Sequence, residues 1–222
     1  MIPIITIDGP SGSGKGTIAS LLAERLGWEV LDSGALYRLV GYAAEKSGIS
    51  FDQVDNLCEI ARNMSVSFKG EQVLLDGDEV SRSIRTETAG NAASKVAALP
   101  ELRAALLEWQ RSSAKEPGLV ADGRDMGSVV FPDAAVKVFL TASAEERANR
   151  RYNQLKEKGI SVSLRDLVRD IRERDERDQN RDVAPLVAPV AALEVESTSL
   201  SIDEVLEQVL VKVRSTFPDL DL

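Results

Sequence analysis

Histidine is absent from this 222-residue chain, and cysteine occurs once, at Cys58. A single cysteine cannot close an internal disulfide, and without histidine neither a His/Cys metal cluster nor a His-based nucleophile triad can be assembled. Any chemistry must draw on lysine, arginine, carboxylates and backbone. Aromatic residues are sparse, at 5%. Long apolar runs are missing too, since none approaches the roughly 20 residues that span a bilayer. The opening MIPIITID lacks the basic start and small-residue cleavage site of a secretory signal, so a cytoplasmic protein is expected. Positive charge is in deficit, and the formal net charge of −9 disfavours non-specific binding to nucleic acid or to an anionic membrane surface. What is present, 43% hydrophobic and 28% charged residues, excludes global disorder. The length suits one compact core with a smaller inserted or appended unit, and no internal repeat is apparent.

The order of elements points to an α/β fold. Ile2 to Ile7, closing at Asp8, is a short apolar segment bounded by Gly9-Pro10 and reads as a buried strand. Ile18, Leu21, Leu22 and Leu26 then keep helical spacing up to Gly27. Trp28 to Leu31 reads as a second strand, followed by helical spacing from Leu36 to Gly48. Alternation of this kind predicts a parallel sheet with ligands at the C-terminal ends of its strands. Further strands are expected at 118–122, 135–140 and 191–196, which makes five. A helix carrying Val54, Leu57, Cys58 and Ala61 places Cys58 in packing, and Ser50 with Gln53 resembles a capping box. Between the helices the period changes. Residues 65–68 and 72–75 read as short antiparallel strands, with turns at Lys69-Gly70-Glu71 and Asp76-Gly77-Asp78. Residues 88–114 read as helix broken at Pro100, with Trp109 anchoring the packed face. Ser143, Ser163 and Ser201, each followed three residues later by an acid, start three more helices.

The sharpest motif is Gly9-Pro10-Ser11-Gly12-Ser13-Gly14-Lys15, which fills the first seven positions of G-x-x-x-x-G-K-[ST] and lies between a strand and a helix. Glycines let successive backbone N–H groups turn around a phosphate chain, the helix N-terminus adds partial positive charge, and the Lys15 ammonium reaches the β and γ phosphates. The eighth position departs from the pattern. It is Gly16, and the hydroxyl expected to meet magnesium comes one residue later, at Thr17.

Which phosphate-loop chemistry follows is narrowed by what surrounds it. A regulatory GTPase needs N-K-x-D and D-x-x-G, and neither string occurs. Arginine outnumbers lysine by 18 to 9, and ten arginines lie between Arg124 and Arg181. Arg174, Arg177 and Arg181 are three and four apart on one helix face, with Asp175, Asp178 and Asp182 on the neighbouring stripe. One reading is ion pairing on a surface helix. The other is a lid whose arginines re-pair with phosphates on closure and expel water. A hydroxyl acceptor, as in kinases of the shikimate kinase type, would need a base; a phosphate oxyanion needs only positioning and charge neutralisation, which an arginine-rich site suits. A binding module that holds RNA on the arginine helix is a third reading, disfavoured by the acidic balance.

GPSGSGKGT (9–17), LDSGALYR (31–38), IRT (84–86) with Asn91-Ala92-Ala93-Ser94, ADGRDMG (121–127), VFPD (130–133) and ERDERDQNR (173–181), in this order over nearly the whole chain, resemble the bacterial cytidylate kinase family. The resemblance implies a P-loop three-layer fold with a five-stranded parallel sheet as core (1–36, 86–150 and 185–222), a small α+β acceptor-binding insert (37–85) and a helical lid (151–184). It implies transfer of the ATP γ-phosphoryl group to CMP and dCMP with Mg2+; a monomer is expected. Gly9 to Thr17 would hold ATP, and Thr17, as in nucleoside monophosphate kinases generally, would help position the metal. Lys15, Arg124, Arg174 and Arg177 would carry the catalytic charge. Arg38, Arg124 and Arg181 would hold the CMP phosphate, three planar forks around one dianion. Ser94, Arg103 and Asp125 would read cytosine, and Asp178 the ribose. Ser33, Arg85 and Asp122 would line the site, and Asp122, at a strand end, is either a metal-water carboxylate or a turn cap.

Overall fold

The structure, a computed structural model, describes residues 2–69, 72–157 and 159–220, so Gly70 and Glu71 of the first expected turn lie outside it. In chain order the elements are β1 (Ile4–Asp8), α1 (Lys15–Leu26), β2 (Glu29–Asp32), α2 (Ser33–Lys46), α3 (Val54–Asn63), β3 (Val66–Lys69), β4 (Gln72–Leu75) and β5 (Asp78–Glu79). They continue with α4 (Glu87–Val96), α5 (Pro100–Ser112), β6 (Leu119–Gly123), β7 (Val136–Thr141), α6 (Ala144–Glu157), α7 (Leu164–Asn180), β8 (Leu193–Glu196) and α8 (Ile202–Thr216). Two compact units emerge: Met1–Asp32 with Ser113–Leu222, and Ser33–Ser112. These bounds differ from those expected at 36/37 and 85/86. The segment 86–112, expected in the core, belongs with the second unit because α4 packs along α2 and α5 along α3.

The first unit is built on a parallel five-stranded sheet in the order β2-β6-β1-β7-β8. Strand β1 is central, and its successive residues Ile5 to Asp8 are all buried, which is why the segment shows no alternation of apolar and polar positions. Ile5, Val120, Val136, Val138 and Val195 pack against Ile18 and Leu22 of α1 and against Val205, Val209 and Val213 of α8. The C-terminal edge of this sheet gathers carboxylates. Ile7 lies opposite Asp122, Asp32 opposite Asp122, and Asp8 opposite Gly123. The strand order reverses around β1, and it is off this edge that such sheets bind ligands. Gly9 leaves β1 against β7, where a Cβ would sit 2.0 Å from the Leu140 carbonyl oxygen; only glycine fits.

The helices start where their caps predict. Ser163 accepts from the Asp166 N–H, and Ser201 with Glu204 forms the full reciprocal box. Ser50 and Gln53 form only half of one: the Gln53 side chain accepts from the Ser50 N–H, while α3 begins after Gln53 without a side-chain cap. Leu155 and Ala148 of α6 pack against Leu167 of α7, with Tyr152, Val168 and Ile171 around them. Helix α7 ends at Asn180. Arg181 has extended backbone (ψ 141°), so it leaves the face that Arg174 and Arg177 share.

In the second unit β3, β4 and β5 form an antiparallel sheet. Asp78, expected in a turn, opens β5, whose two residues are too few to show a period. Cys58 is buried and free. Trp109 is half-buried, edge-on to Phe68 at 6.3 Å between centroids, so it closes the rim of α5 and is not a core anchor. No helix among the described residues is long and apolar enough to cross a membrane.

Candidate active site

The loop from Gly9 to Gly14 joins the end of β1 to the start of α1, and Gly14 caps that helix without any side-chain hydrogen bond. Lys15 is buried. Its Nζ donates to the Pro10 carbonyl at 3.1 Å and stands 3.9 Å from Asp122 Oδ1. Burial, then the neighbouring Arg124 and Arg174 guanidiniums, push the ammonium down to about 7, against the opposing pull of Asp122 and Asp32. Three cations therefore converge where the loop meets α1. An incoming anion would relieve their repulsion, which is the electrostatic mark of a phosphate site.

Helices α6 and α7 hold the loop from outside. Arg147 is buried, donates to the Ser11 carbonyl at 3.0 Å and to Ala142 at 2.9 Å, and forms a two-pronged pair with Asp175 of α7. Arg150 donates to the Ser13 carbonyl at 3.2 Å and to Ser197. Arg174 donates to the Ser11 hydroxyl at 3.2 Å. Thus the Ser11 and Ser13 carbonyls and the Ser11 hydroxyl are occupied by guanidiniums, while Thr17, in the first turn of α1, is exposed.

On the other side of Lys15 the turn after β6 carries Arg124 and Asp125. Arg124 Nε donates to Asp178 Oδ2 at 3.1 Å, Arg174 Nε stands 4.0 Å from the same oxygen, and Arg181 Nη2 lies 3.5 Å from Asp125. Burial works against ionisation of Asp178, but Arg124, Arg174 and Arg181 outweigh it and hold the carboxyl below the usual range. Arg174 and Asp178 of α7 thus face each other, Asp178 is joined to Arg124 of the β6 turn, and Arg181, just past the helix, to Asp125 of that turn. Arg177 is half-buried on α7.

The second unit holds the remaining expected residues. Ser33, at the start of α2, donates to Gln110 Oε1 at 2.8 Å, and Arg38 Nη1 donates to the Ile84 carbonyl at 3.0 Å. Ser94 is buried on α4. Arg103 is buried on α5, with its guanidinium 5.5 Å from the Tyr37 ring centroid and Nη1 donating to Ala97. Arg85 is exposed. The structure therefore brings Lys15, Asp122, Arg124, Asp125, Arg174, Asp178 and Arg181 into one network in the first unit, and places Ser33, Arg38, Ser94 and Arg103 in the second.

Sequence reasoning missed Arg147, Arg150, Gln110 and Asp8. Arg147 carried one signal, a charge one residue before Ala148 on the apolar side of α6. Arg147→Ala is expected to cost about 3 kcal/mol, because Asp175 would be left nearly buried without its cation. Urea unfolding monitored by circular dichroism would show this, and a loss under about 0.5 kcal/mol would mean the pair contributes no more than a surface one.

The model of the cytidylate kinase family matches residues 5–215. The chain is 56% identical to the cytidylate kinase of Aeromonas salmonicida (strain A449), an alignment covering 99% of this chain and 97% of that protein. It is 54% identical to the cytidylate kinase of Marinomonas sp. (strain MWYL1), covering 95% of each. With that of Colwellia psychrerythraea (strain 34H / ATCC BAA-681) the identity is 56%, over 94% of this chain and 95% of the other.

Proposed function

The chain belongs to the cytidylate kinase family, and we propose how its residues divide that family's reaction, transfer of the ATP γ-phosphoryl group to CMP or dCMP. The products are ADP and CDP or dCDP. The acceptor is a phosphate oxyanion that attacks without a base, so a chain with no histidine lacks nothing the step requires. Gly9 to Thr17 hold the donor triphosphate. Lys15 bridges its outer phosphates, and Arg174 and Arg177 complete the charge around the transferring group. Arg38, Arg124 and Arg181 hold the acceptor phosphate, Ser94, Arg103 and Asp125 the base, Asp178 the ribose, and Ser33 lines the acceptor pocket. The observation that carries this division is the convergence of Lys15, Arg124 and Arg174 at the phosphate loop. These cations are partnered by Asp122 and Asp178, and phosphates would take those places.

Mg2+ fits the donors present. The Thr17 hydroxyl and the Asp122 carboxylate are hard oxygen ligands, and Asp122 Oδ2 lies 3.2 Å from where a Gly16 Cβ would stand. No group of three metal-ligating side chains occurs among the described residues, which suits an ion held mainly by phosphates and water. Bound there, it would neutralise charge on the β and γ phosphates. We read the enzyme as a cytoplasmic monomer acting on free nucleotides and not on nucleic acid or a membrane, in keeping with its net charge of −9.

A coupled ADP-release assay with MgATP against CMP, dCMP, UMP, AMP and shikimate tests the reading. Turnover is expected with CMP and dCMP and is expected to vanish with EDTA; shikimate as the best acceptor would overturn it. Asp125→Ala is expected to erode the preference for CMP over UMP about tenfold or more, since a carboxylate accepting from the exocyclic amine separates the two bases. An unchanged CMP/UMP ratio of kcat/KM would remove Asp125 from base reading.

A further inference from the structure

We infer that Asp8 is a positioning residue for the acceptor: its carboxylate clamps the turn carrying Arg124 and Asp125 onto the strand that launches the phosphate loop. Asp8 has no exposed surface. Its Oδ1 accepts from the Met126 N–H at 2.8 Å and its Oδ2 from the Gly127 N–H at 2.8 Å, across 118 and 119 residues of sequence. Its backbone lies opposite Gly123 in the sheet register. The β6 turn is therefore fixed to one residue at both ends, at Gly123 through the register and at Met126-Gly127 through the side chain. The two residues bracketed between those ends are Arg124 and Asp125. Gly127 leaves the clamp no slack, since a Cβ there would stand 2.7 Å from Thr6 Oγ1, 3.0 Å from Pro189 Cγ and 3.3 Å from Asp8 Oδ2. Asp8 also immediately precedes Gly9, so the donor loop and the turn that presents Arg124 to the acceptor share one fixed point. The carboxylate sits there at a disadvantage: burial pushes it up to about 7, with Asp125 and Asp122 adding to the push and only the two amides opposing it. A group that served only to fill this space would be apolar.

The inference rests on the reading of Arg124 and Asp125 as acceptor residues, and the test separates the two. Asp8→Asn is nearly isosteric but offers one acceptor where two N–H groups need one each. It is expected to raise the KM for CMP roughly ten- to a hundredfold, the loss of a charge-assisted hydrogen bond, while ATP affinity, measured with a fluorescent ATP analogue, changes less than about threefold. Amide exchange at Met126 and Gly127 is expected to quicken. If Asp8→Asn does not fold, Gly127→Ala loosens the same clamp with the carboxylate intact and carries the same expectation. ATP affinity falling as much as CMP affinity would overturn the inference in favour of support to the phosphate loop, and an unmoved KM for CMP would overturn it outright. Asp125→Ala is the reference: if it too leaves both the KM for CMP and the CMP/UMP ratio unchanged, the acceptor reading itself has failed and the inference falls with it. If Asp125→Ala acts and Asp8→Asn does not, the clamp alone is wrong.

Discussion

Replacing Lys15 with methionine is expected to lower kcat about a thousandfold and, in the ligand-free enzyme, to raise stability, two opposite effects of one buried ammonium. The kinetic effect follows from position. Lys15 opens α1 directly after the glycine loop, and the transferring phosphoryl group develops charge where its Nζ would bridge the β and γ oxygens. Such a donor, fixed before the substrate arrives, is worth about 3–4 kcal/mol in the transition state. The effect on stability follows from what the ammonium meets without phosphate, burial first and then Arg124 and Arg174, which bring it to about 7 from an ordinary value of 10.5. A basic group depressed on folding destabilises the native state fully below its folded pKa. The penalty fades as pH rises toward its unfolded pKa. The variant should therefore exceed the parent in stability by up to a few kcal/mol at pH 6, on the order of 1.4 kcal/mol per pKa unit, and the gap should shrink by pH 9. Urea titrations at the two pH values and a coupled kinetic assay read both effects. Turnover near that of the parent would remove Lys15 from catalysis, and a variant less stable than the parent at pH 6 would show that the ammonium is better compensated than its surroundings imply.

The same residue marks where the sequence could be read and where it could not. Strand β1, the glycine loop and α1 were legible because each imposes a local requirement: an apolar run, a backbone with no room for a Cβ at Gly9, and Gly27 at the helix end. The Ser201 box was legible for the same reason. Features without local periodicity were not, and β5, two acidic residues long, looked like turn. Arg181 continued the spacing of Arg174 and Arg177 on paper, but spacing cannot show that the backbone extends after Asn180 and that Arg181 meets Asp125. Buried polar groups were the hardest to see. Asp8, Arg147 and Gln110 appear in sequence as polar residues like any other, and what sets them apart is partners as far as 136 positions away. The acceptor residues show the limit most plainly, for the family resemblance named them in chain order, whereas the fold distributes them over two units.

Arg124→Met should have an effect as large as that of Lys15, by a different route. Arg124 stabilises Asp178 and repels Lys15, and in the reaction its fork would hold the acceptor phosphate beside the transferring group. Removing it takes one fork from a dianion and one charge from the transition state, so kcat/KM for CMP is expected to fall by about three orders of magnitude. Arg124→Lys should recover little of this, because an ammonium cannot engage two phosphate oxygens in one plane. The variant should also lose stability at neutral pH, since Asp178, which is buried, would lose the guanidinium hydrogen-bonded to it and face the more distant Arg174. Asp178 is held below its ordinary range, so its contribution is present above the unfolded carboxylate pKa of about 3.9 and disappears as pH falls through the lower folded value. The stability gap between parent and Arg124→Met should accordingly be widest near pH 7 and narrow below pH 4. A loss in kcat/KM of less than tenfold would take Arg124 out of the acceptor site, and a gap that stays constant across that pH range would mean that Asp178 does not depend on Arg124 for its charge.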